Sequence, residues 1–386
     1  MSDAKQTKKP NIILRLLALL VTVALVLGAL ALVVYRDRLN LDALERWLAY
    51  RDLETGETGQ AEPFTHAGGD GLSLAFLDKG ILFTADTGAH YYSINGELYA
   101  EKVLSMDAPV LSAANKSAVV YDAGGQSLFR FQGNQQTMDL TLSGNADVLS
   151  ARTNDAGWVA LTAQQSGFKG AVTVYDAAGT EKIQIKLSST FVVDAAVAPN
   201  NKSVALVTID QMGGVFNSKV LFYPIDSTEP SATVDLGNQV VLDMDYEDGR
   251  LWLLSDDRVL TMGGKGETVS SYGFGHRYLK GYSLKGDGFA LLLLSGYETG
   301  NADEVLTLDS QCALAGQLAL SGQVLDFDCA GSYTALLTGS GLTIYDQLLG
   351  TYAQLSDPQG ARYVGLRRDG SAALADHQRC WLYIPE

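Results

Sequence analysis

One motif recurs through the chain at a regular interval and limits the folds that the chain can adopt. Its clearest copy, VLDMDYEDGRLWLLS at Val241–Ser255, has an apolar run with two Asp residues, a polar turn ending in Gly, and a second apolar run. A close copy, VLDFDCAGSYTALLT, occupies Val324–Thr338, and a looser one occupies Val192–Thr208. Each copy is typical of two short strands joined by a tight turn. Such repetition indicates one supersecondary unit stacked many times.

Followed along the chain, the motif predicts eight copies of a unit with four strands, a to d. The first strands begin near Leu72, Val110, Val148, Val192, Val241, Leu279, Val324 and Tyr363. The intervals run from 38 residues (Leu72 to Val110) to 49 residues (Val192 to Val241), close to the roughly 40–50 residues of a propeller blade. The predicted fold is therefore an all-β propeller with eight four-stranded blades, and seven blades are the alternative.

The last copy is incomplete, which indicates how the ring closes. The chain stops after RCWLYIPE at Arg379–Glu386, a third strand with no fourth strand behind it. Proteins avoid open strand edges of this kind. The strand-like piece AEPFTHA at Ala61–Ala67 precedes the first copy, and we expect it to supply the missing strand. The propeller domain then covers residues 61–386.

An uncharged run of 20 residues, Leu16–Tyr35, lies between Arg15 and Arg36. At about 1.5 Å per residue it spans about 30 Å, the thickness of a hydrocarbon core, and predicts a transmembrane helix. A cleaved signal peptide is the alternative. Because a short basic N-terminus precedes a large acidic domain, residues 1–15 are predicted to be a cytoplasmic tail. The protein is expected in the cell membrane as a single-pass protein, with an extracytoplasmic propeller.

Residues 36–60 are predicted to form a juxtamembrane helix and linker. The helix covers Asn40–Tyr50, with one face formed by Leu41, Leu44, Trp47 and Leu48. It could lie at the membrane surface, dock on the propeller or serve only as a spacer.

Composition and the absence of known motifs argue against several functions. A net charge of −16 is unsuited to nucleic acid. The sequence has no nucleophile elbow, phosphate-binding loop or Cys/His metal cluster. We therefore predict no enzyme activity, no cofactor, and no catalytic or metal-binding residues. Cys312, Cys329 and Cys380 are expected to be buried apolar residues, and a Cys312–Cys329 disulfide is the alternative.

Two regions could nevertheless bind a ligand. The first is an acidic set on the innermost strands: Asp194, Asp243, Asp245, Asp326 and Asp328. Converging carboxylates could hold Ca²⁺ and serve an extracytoplasmic enzyme with an acidic channel site, which is the alternative function. The simpler interpretation is that these carboxylates are solvated or accept hydrogen bonds from backbone amides of a neighbouring blade.

The second region consists of three long connections between strands b and c, each with an aromatic residue. They are Gln164–Gly170, Asp210–Ser218 and Gly296–Asp303. In a propeller all such connections project from one end, and aromatic residues on a rigid scaffold are typical interface anchors. The predicted binding residues are Phe168, Lys169, Phe216, Asn217, Tyr297 and Glu298.

The length, the single N-terminal span and the Tyr-Asp-x-x-Gly turns, as at Tyr175–Gly179, resemble an uncharacterised bacterial family of membrane-anchored β-propellers. The resemblance implies a propeller fold and no assigned activity. The repeat is also broadly similar to WD-repeat and quinoprotein propellers, although Trp-Asp dipeptides are absent. Together with the loops, the layout predicts a binding or scaffold module for a protein, peptide or glycan of the cell envelope.

Overall fold

The computed structural model describes residues 41–144, 146–267 and 269–385, together with residues 17, 19–23 and 26 near the N-terminus. The chain divides into two units, Met1–Arg51 and Asp52–Glu386.

The first unit contains a helix, α1, over Leu41–Tyr50. The predicted helix is confirmed over these residues, and Asn40, the first residue of the predicted range, lies outside the described residues. Most of the predicted transmembrane segment Leu16–Tyr35 and the predicted tail of residues 1–15 also lie outside them. Within the part of the chain that the structure describes, no helix has both the length and the apolar character needed to cross a bilayer.

The second unit is a propeller of eight antiparallel four-stranded sheets, as the repeat predicts. Blades 1 to 4 are β2 Ser73–Leu77, β3 Gly80–Ala85, β4 Gly88–Ser93, β5 Leu98–Val103; β6 Pro109–Ala113, β7 Ser117–Asp122, β8 Ser127–Gln132, β9 Gln135–Thr141; β10 Val148–Thr153, β11 Val159–Ala163, β12 Gly170–Tyr175, β13 Glu181–Leu187; and β14 Phe191–Val197, β15 Ser203–Met212, β16 Val215–Pro224, β17 Ala232–Gly237.

Blades 5 to 8 follow the same order from strand a to strand d. They are β18 Val241–Glu247, β19 Arg250–Ser255, β20 Arg258–Gly263, β21 Ser270–Gly273; β22 Tyr278–Gly286, β23 Phe289–Ser295, β24 Glu304–Asp309, β25 Leu314–Ala319; β26 Val324–Ala330, β27 Tyr333–Thr338, β28 Gly341–Asp346, β29 Thr351–Leu355; and β30 Tyr363–Leu366, β31 Ala372–Ala375, β32 Arg379–Tyr383, with β1 Phe64–Thr65.

The N-terminal strand closes blade 8, as predicted. Phe64 of β1 pairs with Cys380 of β32, and the Ala61 amide donates a 2.9 Å hydrogen bond to the Leu382 carbonyl. The Trp381 indole N–H donates to the Gln60 side-chain oxygen over 3.1 Å. Residues from opposite ends of the chain thus complete one sheet, and eight blades are confirmed over seven.

The core lies between neighbouring blades, because each sheet has apolar side chains on both of its faces. Strand β23 is buried along its whole length. The outermost strands alternate between exposed and partly buried residues, as in β17, which is the period-two pattern of a sheet edge. Cys312, Cys329 and Cys380 are buried free thiols, so the Cys312–Cys329 disulfide is not formed.

Strand direction gives the propeller two distinct ends. We call the end with the b-to-c connections and the d-to-a links between blades the b–c face, and the opposite end the a–b face. Two of the three predicted long loops are confirmed on the b–c face, between β11 and β12 and between β23 and β24.

The third predicted loop, Asp210–Ser218, is wrong. These residues continue β15 and β16, which form a ribbon closed by Gly213 and Gly214. Both glycines have positive φ, 62° and 87°, and such a pair suits the tight turns that match the twist of two strands. The polar and glycine residues therefore extend a hairpin rather than interrupt it.

Candidate binding face and central channel

The predicted aromatic residues are exposed on the b–c face. Phe168, Phe216 and Tyr297 have exposed fractions of 41%, 52% and 75%. Two further apolar residues, Phe191 at 53% and Val215 at 54%, are exposed at the same end of blade 4. Sequence reasoning missed Phe191 because it directly precedes the repeat copy that begins at Val192 and lies in none of the three long connections.

The register of blade 4 brings two of these rings to the same side of the sheet. Phe191 is opposite Ile209 on β15, and Phe216 is opposite Gln211, two residues further along. Side chains directly across an antiparallel pair, and those two residues apart on a strand, share one face. Phe191 and Phe216 therefore lie on one face of the ribbon.

Lys169 connects the loop of blade 3 to blade 4. Its ammonium group lies 4.9 Å from the centroid of the Phe191 ring and donates a 2.8 Å hydrogen bond to the Ser189 carbonyl. It also lies 4.0 Å from the Asp210 carboxylate. We define the aromatic patch as Phe168, Phe191, Val215 and Phe216, with Lys169 between the two blades.

The other predicted binding residues have different environments. In the amide orientation that satisfies both of its polar atoms, the Asn217 side chain donates to the Asp235 carboxylate (3.1 Å) and the Gly237 carbonyl (2.6 Å), both within blade 4. Glu298 is exposed, and its backbone carbonyl accepts a 2.7 Å hydrogen bond from Lys280. Tyr297 and Glu298 belong to blade 6 and lie apart from the blade 3–4 patch in the fold.

In the channel, Arg152 holds two of the five predicted acids. Its Nε donates to Asp194 over 2.6 Å, and its guanidinium also pairs with Asp243. The Ser150 hydroxyl donates a further 2.7 Å bond to Asp194. Blades 3, 4 and 5 are therefore joined by one cation and two anions.

Asp326 and Asp328 accept hydrogen bonds from blade 8. The amides of Val364 and Leu366 donate to them over 2.7 and 2.8 Å, and burial raises the pKa of Asp326 to about 6. Within the described ranges no group of three or more His, Cys, Asp or Glu side chains is arranged to hold a metal ion. The structure therefore favours the interpretation of these two acids as hydrogen-bonded links between blades.

A cavity of about 440 Å³ opens where the channel meets the a–b face. Its carboxylates come from turns that sequence reasoning did not single out: Asp155, Glu247, Asp248 and Asp287, next to Asp245. Burial is the largest cause, and the nearby carboxylates the second, of a pKa of Glu247 that is raised to about 9. Burial likewise raises the pKa of Asp245 to about 6, although Arg152 opposes that shift. The raised pKa of Glu247 favours the protonated form of this residue in the folded protein. Aligning the repeat copies could have identified these acids, because they all lie in or beside the turn between strands a and b.

Residues 60–348 match a family of unknown function, DUF5711. The chain belongs to this family. The matched segment starts at residues 60–65, the strap that closes blade 8, and covers most of the propeller of this DUF5711 member. No curated protein matches the chain by sequence.

Among solved structures, the C-terminal WD40 domain of Sif2 is similar to 86% of this chain over 100% of its own length, with a TM-score of 0.59 and 13% identity. BamB from Moraxella catarrhalis matches 84% of this chain over 97% of its own, with a TM-score of 0.47 and 12% identity. At 13% identity the likeness to the Sif2 domain shows the propeller fold alone.

Proposed function

We propose that this DUF5711 propeller is a membrane-anchored, non-enzymatic binding or scaffold module of the cell envelope. The proposed anchor is Leu16–Tyr35, and the proposed partner is a protein, peptide or glycan bound on the b–c face. A propeller is a fold typical of protein-interaction modules, which agrees with this role. The observation that carries the proposal is the aromatic patch.

The patch has the features of an interface anchor. Each of its four apolar side chains is more than two-fifths exposed, whereas water-facing positions of a blade are ordinarily polar. Aromatic residues contribute large contact areas with few rotatable bonds, and they are enriched among the residues that dominate binding energy. The patch also spans two blades, which Lys169 links through its contacts with Phe191 and Ser189.

A glycan or an extended peptide suits such a surface, because both stack on aromatic rings and hydrogen-bond at the rim. Lys186, whose ammonium lies 5.6 Å from the centroid of the Phe168 ring, and Asp210 supply polar groups beside the rings. Tyr297 on blade 6 offers a second, separate contact on the same face.

The alternative function, an enzyme with an acidic channel site, has less support. Arg152 pairs with Asp194 and Asp243, and backbone amides bind Asp326 and Asp328. These four carboxylates already have partners, and Asp245 accepts a 2.8 Å hydrogen bond from the Tyr246 amide. Calorimetric titration of the propeller with Ca²⁺ tests this alternative, and we expect no heat of binding.

Substitution on the two faces tests the proposal. Proximity labelling in cells that carry the full chain first identifies the neighbours of the propeller. The variant Phe168→Ala/Phe216→Ala should then reduce labelling of the partner at least tenfold, while thermal stability stays within about 2 °C because both side chains are exposed. The matched control is Leu348→Ala, which removes a 62% exposed apolar side chain from a turn on the a–b face. Loss of labelling in the control, or full labelling of the double variant, would place the interface elsewhere.

A further inference from the structure

The large apolar side chains of helix α1 are exposed. Leu44, Trp47 and Leu48 are three and four residues apart and therefore share one face of the helix. Their exposed fractions are 55%, 63% and 55%, whereas Arg46 is only 3% exposed. A helix on a water-facing surface exposes its charged residues and buries its apolar ones. The exposed apolar face of α1 therefore favours contact with an apolar medium.

The position of α1 in the chain indicates which medium that is. The proposed membrane span ends at Tyr35, six residue steps before Leu41. A fully extended connection of six residues reaches about 20 Å, and α1 itself is about 15 Å long. If Leu16–Tyr35 crosses the bilayer, α1 cannot leave the neighbourhood of the bilayer surface. This inference therefore rests on the anchoring part of the proposed function.

The residue types also fit the boundary between headgroups and acyl chains. Tryptophan has a large apolar body with one N–H donor, and it concentrates at that depth. The polar side of the helix includes two acids, Asp42 and Glu45, which disfavour a strongly anionic surface. We propose that α1 lies along a zwitterionic bilayer surface, with Leu44, Trp47 and Leu48 inserted toward the acyl chains.

Depth-dependent quenching of Trp47 fluorescence tests this proposal. The full chain is reconstituted in phosphatidylcholine vesicles whose acyl chains carry bromine near the headgroup or near the bilayer centre. The chain has four tryptophans, Trp47, Trp158, Trp252 and Trp381, so the difference between wild type and Trp47→Phe isolates the signal of Trp47. We expect shallow bromines to quench that signal at least twofold more than deep bromines.

Two variants complete the test. Trp158→Phe changes a propeller tryptophan and should leave the quenching intact, while Leu44→Lys/Leu48→Lys should abolish it with the chain still in the vesicle fraction. If wild type floats with the vesicles but Trp47 is not quenched, α1 is covered by the propeller, a second copy or another protein, and this proposal is wrong. If the chain does not float with the vesicles, the anchoring proposal fails as well.

Discussion

Arg152 illustrates how a single residue sets the electrostatics of the channel. It sits on strand a of blade 3 and pairs with Asp194 of blade 4 and Asp243 of blade 5. Removing one partner from a largely buried charge network leaves uncompensated charge, which is costly in a medium of low polarity. The channel therefore depends on this cation more than on any of its acids.

We predict that Arg152→Met lowers the free energy of unfolding by about 3–5 kcal/mol, measured by urea denaturation of the propeller. The matched control is Arg258→Met, which removes the exposed pair with Asp257 and should cost less than about 1 kcal/mol. Equal losses in the two variants would mean that the Arg152 network contributes no more than a surface ion pair.

Glu247 is predicted to make stability fall as pH rises. Its folded-state pKa of about 9 lies above the value of 4.5 for an unperturbed Glu, so the folded state retains a proton that the unfolded state has released. Between about pH 4.5 and pH 9 the contribution of this group to stability therefore decreases. Replacement by Gln, which stays neutral, should raise the free energy of unfolding at pH 8.5 and change it little at pH 4.5. Denaturation curves at both pH values measure this, and an equal effect at both would contradict the raised pKa.

The three thiols give a simpler residue-scale prediction. Burial raises the pKa of Cys329 to about 12, and all three cysteines are buried and free. We expect no reaction with a thiol reagent in the native protein and three reactive thiols per chain after denaturation. A count of one after denaturation without reductant would reveal a disulfide.

At the scale of elements, the strap before blade 1 determines whether the ring stays closed. It covers the free edge of β32 through Phe64, Ala61 and Gln60. The Phe64 ring also contacts Tyr92 of blade 1, with 5.7 Å between ring centroids. The strap thus joins the last blade to the first.

Deleting residues 1–67 should therefore lower the melting temperature by more than about 10 °C or cause aggregation through the open edge. Deleting residues 1–53 keeps the strap and is the matched control, for which we expect a melting temperature close to that of the intact propeller. Differential scanning calorimetry measures the melting temperature of both proteins. Melting temperatures that differ by less than about 2 °C would show that blade 8 is stable without β1.

At the scale of the whole molecule, the propeller was largely predictable because its repeat is local. Each strand a begins at or within one residue of the expected position, since an apolar run and a Gly-containing turn specify a hairpin without distant information. The contacts between blades were not predictable. Arg152 reaches Asp194 and Asp243 across 42 and 91 residues, and a single sequence does not reveal such pairs. The ribbon at Gly213–Gly214 was predicted as a loop. Polar residues can form either a loop or an extended hairpin, and the two differ only in whether their backbones pair as strands.

The b–c face is proposed to be the surface that binds a partner, and site-specific photocrosslinking tests this proposal most directly. A photoreactive phenylalanine analogue is placed at position 216 in the aromatic patch and, in a second protein, at position 348 on the a–b face. Both residues are more than half exposed, so their reactivity toward solvent is comparable. We predict a discrete crosslinked adduct, at the mass of the labelled partner, from position 216 and none from position 348. An adduct from position 348 alone would contradict the account and assign binding to the opposite face.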